Sequence, residues 1–404
     1  MEKVKAVLAG AGGYGKIYLE YMPEGPCADV ELVAVVDPYL EKSPEAWEMV
    51  KQKQLPVYDS LEEFYQHQKA DLAILATPLP MHKEQCITAM ANGSHVLCEK
   101  PLVPVLQDIP ELREAVKKYQ KTLSVAFQWD YLPSVLRVKE LYAGGELGRA
   151  VRMKSYISWP RTLKYYSRGW AARAKDARGN YILDSIVTNA VAHYVQVMLY
   201  ILGDGTGHAE EIASGRGALY RANDIETYDT AALEMETVHG VKLYFYATHA
   251  SNYKIDPMFV YEFEQAVVTM NAFDRGKQIT IFYRDGRIEE LENMGPDMGC
   301  VEKLESAVRS ARTGKEGPCS IDASLSSLRL ANGLLDYIPI REFDRSMVKF
   351  DEEQQVVFVP GLHLDLYRCY EQWKLPSELG IPYAVPETEF LLEGYDKFMG
   401  TLLK

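Results

Sequence analysis

The sequence has little of what marks a membrane, secreted or nucleic-acid-binding protein. No apolar run reaches the ~18 residues that a membrane helix needs. The chain opens on a short core-like stretch rather than on a secretory leader, so a cytoplasmic protein is expected. Its six cysteines, Cys27, Cys86, Cys98, Cys300, Cys319 and Cys369, are scattered through 404 residues with no C-x-x-C spacing. That pattern supports neither a disulfide framework nor a metal site, and implies reduced, mostly buried thiols. Basic residues are outnumbered, 44 Lys+Arg against 57 Asp+Glu, for a net charge of −13. Such a charge repels nucleic acid and anionic lipid, and leaves small molecules as the expected partners. Internal repeats and low-complexity linkers are missing too. What is present is ordinary for a globular chain: 47% hydrophobic and 25% charged residues. At ~100–200 residues per domain, two domains and an appendage are expected.

Residues 4–9 read as a short buried strand, followed by Gly10-Ala11-Gly12-Gly13-Tyr14-Gly15 and an apolar pattern at Ile17, Leu19, Tyr21 and Met22 that continues as a helix. In a G-x-G-x-x-G loop the first glycine permits the tight turn. The second lets backbone approach a pyrophosphate, and the third lets helix and strand pack closely. A second strand, 31–36, ends in Asp37 near the expected ~20 residues downstream. Its carboxylate suits the two ribose hydroxyls and repels a 2′-phosphate, which favours NAD over NADP; Lys42 is the nearest cation.

Up to about residue 125 strands alternate with helices. Asp71–Ala76 is an apolar strand followed by Thr77-Pro78, then a helix from Met81 to Asn92, a strand His95–Cys98 and a helix Ile109–Lys121. This alternation implies a parallel sheet covered on both faces, with the ligand beyond the carboxyl ends of the strands. Thr77, Glu99 and Lys100 all sit at such ends. From about Arg149 the period changes. Strands are expected at 151–157, 230–236, 241–247, 260–263, 278–283 and 287–291, with helices at 301–312 and 322–337. The fold class is therefore α/β: a Rossmann doubly wound parallel sheet over 1–125, then an α+β domain over 126–343 with a large, mainly antiparallel, open-faced sheet. Residues 344–404, with Tyr367, Tyr370 and Trp373, form an extension that packs on the core or closes the site as a lid. One open sheet face needs cover, and a homodimer or homotetramer formed through it is expected.

The glycine loop, Ala76-Thr77-Pro78 with His82, and Val96-Leu97-Cys98-Glu99-Lys100-Pro101-Leu102 together resemble the Gfo/Idh/MocA family over residues 1 to about 340. The resemblance implies NAD-dependent oxidation of a secondary alcohol of a sugar, cyclitol or related polyol, or the reverse reduction. It implies that Lys100 contacts substrate hydroxyl and nicotinamide. It also places Gly10, Gly12, Gly13, Tyr14, Gly15, Asp37, Thr77, Pro78, His82, Glu99 and Gln128 in the cofactor set. A second family motif, glycines followed by Asp-x-x-x-His, is altered to Arg178-Gly179-Asn180-Tyr181 and Asn189-Ala190-Val191-Ala192-His193, with Gly203 as helix terminator.

An apolar stripe from Val187 to Leu202 predicts one helix, with Asn189 and His193 one turn apart on a shared face. Asp184 would lie on the opposite face and is a poor substitute for the missing carboxylate. His193 is the expected base, Lys100 the charge that steadies the alkoxide, and Asn189 an orienting group, all addressing one alcohol beside the nicotinamide. Trp159, Arg161, Tyr165, Tyr166, Arg168, Trp170 and Arg173 form an aromatic and basic stretch. Of these, Trp159, Arg161, Tyr166 and Trp170 join Lys100, Asn189 and His193 as substrate contacts, suited to a glycoside or acidic sugar. Two other readings stay open: a lyase or glycosidase that retains NAD and works through a transient keto-sugar, and a sensor without catalysis.

Overall fold

Short apolar runs bounded by turn residues become the buried strands of a parallel sheet, because only helices on both faces can shield them. The computed structural model of the chain describes residues 2–22, 27, 29–189, 191–271, 279–291 and 299–403. The chain divides into two units.

The first unit is Met1–Leu132, Thr206–His208 and Pro296–Ser324. Its strands are β1 (Val4–Ala9), β2 (Val30–Val36), β3 (Val57–Tyr58), β4 (Leu72–Leu75), β5 (His95–Cys98) and β6 (Leu123–Val125), in the order β3-β2-β1-β4-β5-β6. All pairings are parallel. The helices between them are α1 (Lys16–Tyr21), α2 (Pro44–Gln52), α3 (Leu61–His67), α4 (His82–Ala91) and α5 (Ile109–Tyr119). This is a doubly wound Rossmann sheet whose order reverses between β1 and β4. Its core joins Ala6, Leu8, Leu72, Ile74 and Leu97 to Leu304, Ala307 and Val308, which belong to a helix far along the sequence.

The second unit is Pro133–Gly205, Ala209–Gly295 and Leu325–Lys404. After α6 (Pro133–Ala143) come β7 (Ala150–Ser158), α7 (Leu163–Tyr166) and α8 (Ala192–Leu202). The strands β8 (Ile212–Arg221), β9 (Thr230–Thr237), β10 (Lys242–Thr248), β11 (Ile255–Phe263), β12 (Ala266–Met270), β13 (Ile279–Tyr283) and β14 (Ile288–Leu291) follow. Next are α9 (Cys300–Thr313), which is the helix that rejoins the Rossmann core, and α10 (Ile321–Tyr337). The chain then adds β15 (Ile340–Glu342), β16 (Lys349–Asp351), β17 (Val356–Phe358), α11 (Leu362–Gln372) and β18 (Thr388–Leu391).

The large sheet runs β14-β13-β12-β11-β7-β10-β9-β8-β15, with β18 also on β8. It is mainly antiparallel; β10 with β7 and β15 with β8 are parallel. Strands β8 and β12 had no strong alternation and were not expected from the sequence.

The cover expected for the sheet's second face comes from the chain itself. Tyr156, Tyr220, Ala232 and Tyr246 on that face pack against Val359, Leu362, Leu366, Cys369, Tyr370 and Leu375. Lys154 on the same face donates to the carbonyl of Tyr370 at 2.7 Å, at the end of α11, and lies 4.2 Å and 4.4 Å from the ring centroids of Tyr370 and Trp373. Burial pushes its ammonium down to about 8. The extension also reaches the segment after β7: the Leu163 N–H donates to the Gln355 carbonyl at 3.0 Å, and Thr162 bridges to Val356.

The helix expected from Val187 starts later, at Ala192. The Ser185 N–H donates to Thr188 Oγ1 at 2.8 Å and the Thr188 N–H to the Ser185 carbonyl at 3.2 Å. A side chain that offers the backbone such a partner competes with helix, so 186–189 form a turn. Every residue of α8 is buried, so the polar line His193, Gln196, Tyr200 faces protein: Ser327 Oγ donates to Gln196. Gly203 does not end α8 with a positive φ; Lys139 does so by donating to the carbonyls of Tyr200 and Gly203.

Candidate active site

Because the sheet order reverses between β1 and β4, a crevice opens at their carboxyl ends, and the glycine loop lies there. Gly10 has φ +83°, and a Cβ on it would stand 2.6 Å from the Ala76 carbonyl oxygen. One on Gly15 would stand 2.0 Å from the Gly10 oxygen, and one on Gly12 would strike Ser43 Oγ at 2.6 Å. Gly13 faces open space, so contacts dictate three of the four glycines. The Gly12 N–H donates to Asp37 Oδ2 at 3.0 Å, and the Tyr39 N–H to Oδ1 at 3.0 Å. The carboxylate that follows β2 is thereby fixed beside the loop. Lys42 packs over the Tyr39 ring at 4.4 Å. These residues fit a dinucleotide: bare backbone at the turn, and one oriented carboxylate for the ribose.

Tyr14 turns its hydroxyl inward, donating to Gln128 Oε1 at 2.9 Å and lying 3.3 Å from Cys300 Sγ. Glu99 accepts from Tyr18 Oη and from Lys303 Nζ, each at 2.7 Å, while its other oxygen takes the Lys100 N–H at 3.3 Å. Glu99 is therefore the anchor of the turn that carries half-buried Lys100, whose bond to Pro101 is cis. Thr77 Oγ1 donates to Gln85, and Pro78 leads into the turn before α4. His82 is buried: Nε2 lies 2.9 Å from the Thr77 carbonyl and Nδ1 3.0 Å from that of Pro101. It clasps the loops after β4 and β5 together, and burial lowers its pKa.

Tyr18, Cys300 and Lys303 were missed by sequence reasoning. The available signal was a lysine on the apolar stripe of α9, beside Leu304 and Ala307.

In the second unit the residues expected to meet substrate form a polar and aromatic cluster. Asn189, in the turn before α8, donates through Nδ2 to Tyr165 Oη at 2.8 Å. It is not one helical turn from His193, because the helix begins after it; His193 is buried on α8. The Arg161 and Arg168 guanidinium carbons lie 5.1 Å from the Tyr165 ring centroid. Tyr165 meets Tyr166 and Trp170 edge-on, with centroids 5.3 Å and 5.9 Å apart. Trp170 is 37% exposed. Trp159 donates to Asp256 at 3.0 Å and meets Tyr194 edge-on.

His249, also missed, is buried with Nδ1 2.7 Å from the Trp159 carbonyl. That nitrogen must carry the proton, and burial together with the Arg161 charge pushes the ring's pKa down to about 3. Asp184 accepts from the Ala172 N–H at 2.5 Å. Burial pushes the phenols of Tyr165 and Tyr166 well above the usual range.

Residues 4–127 match the family model described as Oxidoreductase family, NAD-binding Rossmann fold. These residues thus carry the NAD-binding Rossmann domain of the Gfo/Idh/MocA oxidoreductases. Over 158 residues it is 27% identical to the 1,5-anhydro-D-fructose reductase of Ensifer adhaerens, a match covering 39% of this chain and 45% of that protein. Over 291 residues it is 23% identical to the scyllo-inositol 2-dehydrogenase (NADP(+)) IolU of Bacillus subtilis, covering 71% and 84%. The match thus spans less than half of the reductase and most of the dehydrogenase. The crystal structure of myo-inositol 2-dehydrogenase from Lactobacillus plantarum superposes with a TM-score of 0.65 at 18% identity, over 82% of this chain and 96% of that one. This last likeness is one of fold.

Among the described residues no helix is long and apolar enough to cross a membrane, and no group of three or more His, Cys, Asp or Glu side chains is placed to hold a metal ion.

Proposed function

We propose that this chain is an NAD-dependent oxidoreductase that interconverts a secondary alcohol and the matching ketone of a sugar, cyclitol or glycoside. The observation that carries this reading is the Gly12–Asp37 hydrogen bond, which fixes a ribose-binding carboxylate at the crevice where the Lys100 turn also ends. Bound there, the nicotinamide would supply the redox chemistry. Gly10, Gly12 and Gly15 give it bare backbone, Asp37 takes the ribose hydroxyls, and Glu99 holds the Lys100 turn. Lys100 steadies negative charge on the substrate oxygen, and the cluster containing Asn189 and His193 moves its proton. Trp159, Arg161, Tyr166 and Trp170 supply stacking surface and donors for the ring and its hydroxyls. The names of the relatives, which act on an anhydro-sugar and on inositols, support this substrate class.

The six buried cysteines, none of them in a disulfide, suit a reducing cytoplasm. Self-association through the sheet's second face would have to use strands beyond those the extension covers, where Phe282 and Ile288 are exposed.

The test is turnover of cyclitols, hexoses, glycosides and uronates with NAD and with NADP, following reduced nicotinamide and sugar products together. NADH formation with one polyol class supports the reading. Product without net NADH favours the NAD-retaining lyase or glycosidase, for which the asparagine at 189 is the motivating observation. Cofactor binding without any product favours a sensor.

A further inference from the structure

The segment after β2 is stitched to the glycine loop at two points. Asp37 takes the Gly12 and Tyr39 N–H groups on its two oxygens, each at 3.0 Å, and Ser43 Oγ donates to the Gly12 carbonyl at 3.0 Å. Between these points Leu40 is buried in the core of the first unit, and the Lys42 N–H closes the turn on the Tyr39 carbonyl at 2.9 Å. The backbone that carries Tyr39 is therefore fixed. Its ring is nevertheless 64% exposed, the most open of the large apolar side chains described in that unit. Single exposed aromatics are ordinary, but one held by the same carboxylate as the dinucleotide loop calls for an occupant. The Lys42 ammonium covers one side of the ring, 4.4 Å from its centroid, and at this exposure the other side is left for a flat group.

We infer that the Tyr39 ring is the platform on which the adenine of the dinucleotide stacks, with Lys42 holding the ring in place. The inference rests on the dinucleotide part of the reading above, and it needs residues of the first unit alone. In a Rossmann sheet the acid that ends the second strand takes the hydroxyls of the adenosine ribose. The base joined to that ribose then lies by the segment that follows the acid, which is the one bearing Tyr39. A purine offers an apolar face, and stacking on an aromatic ring serves any base, because it reads no hydrogen-bonding edge. The segment is thus expected to hold the adenosine half firmly while discriminating poorly among purines. Asp37 decides what the ribose can carry, and Tyr39 adds affinity whatever the purine.

The test is calorimetry on the full chain with NAD, ADP-ribose and nicotinamide hypoxanthine dinucleotide, which differs from NAD in the purine alone. Wild type is expected to bind all three. Tyr39→Ala should weaken each by roughly fivefold to a hundredfold, the usual effect of losing one base stacked on an aromatic ring. Because the ring is exposed, the thermal midpoint of the nucleotide-free variant should match wild type. Tyr39→Trp keeps a platform and should retain wild-type binding. Lys42→Met keeps the ring and removes the cation, for a loss of no more than about fivefold. The inference is overturned if Tyr39→Ala binds as wild type does, if Tyr39→Trp or Lys42→Met loses as much as Tyr39→Ala, or if wild type refuses the hypoxanthine nucleotide. Each of these outcomes leaves the dinucleotide reading standing. Failure of wild type to bind both NAD and ADP-ribose overturns the two together.

Discussion

The Lys303 ammonium sits 2.7 Å from the Glu99 carboxylate with no exposure to solvent, joining α9 to the turn that bears Lys100. Removing one partner of such a pair strands a charge in a poorly solvated site. Lys303→Met is therefore expected to destabilise the Rossmann unit by about 3–5 kcal/mol. Adding Glu99→Gln to it should recover part of the loss, because the stranded charge is gone. Urea unfolding of the two single variants and the double variant measures this; additive losses would show that the two side chains do not interact.

Asp37 is held by two backbone N–H groups and is the acidic side chain bonded to the glycine loop. On the proposed reading, Asp37→Ser removes the charge that repels a 2′-phosphate and the acceptors for two ribose hydroxyls. Affinity for NAD should fall roughly tenfold to a hundredfold, the effect of losing ~1.5–3 kcal/mol of charged hydrogen bonding, while NADP affinity rises. Fluorescence titration with both nucleotides checks the sign of each change.

His249 is neutral in the folded protein, with its pKa pushed down to about 3 by burial and by Arg161, against ~6.5 when unfolded. Between those values the unfolded chain binds more protons, so stability falls as pH drops through this window, by up to about 1.4 kcal/mol per pH unit from this group. Buried His82 and His95 are shifted in the same direction. His249→Gln should make the pH dependence of unfolding between pH 6 and 4 (roughly, the accessible part of the window) visibly shallower than in wild type. An unchanged slope would mean that the imidazole is hydrated.

Lys154, pushed down to about 8, behaves oppositely in range though not in sign. Its unfolded value lies near ~10.4, so the unfolded chain again holds the extra proton. Wild type should gain stability relative to Lys154→Met as pH rises from about 8 to about 10, by at most ~1.4 kcal/mol per unit. Denaturation midpoints of the two proteins across that range decide it.

Much of the first unit was legible because its strands are continuous apolar runs and its loop glycines obey local sterics. Val4–Ala9, Leu72–Leu75 and His95–Cys98 lie where expected. The helix start at Ala192 was not, since the apolar stripe continues through 187–191 while Ser185 and Thr188 quietly close a turn. Asn189 and His193 were legible as residues of interest but not in their geometry. Partners such as Lys303 for Glu99 and Tyr165 for Asn189 lie far away in sequence, and periodicity reports only which face of an element is buried. The extension's short strands gave too few residues for any period to show.

The pairing of Leu163 with Gln355 and of Thr162 with Val356 ties the stretch that bears Arg161 and Tyr165 to strands made much later in synthesis. A ribosome-bound chain that has made β1 to β14 still lacks the edge on which this stretch rests. On the proposed reading, a protein cut before Gln355 should keep its nucleotide while losing its grip on the polyol.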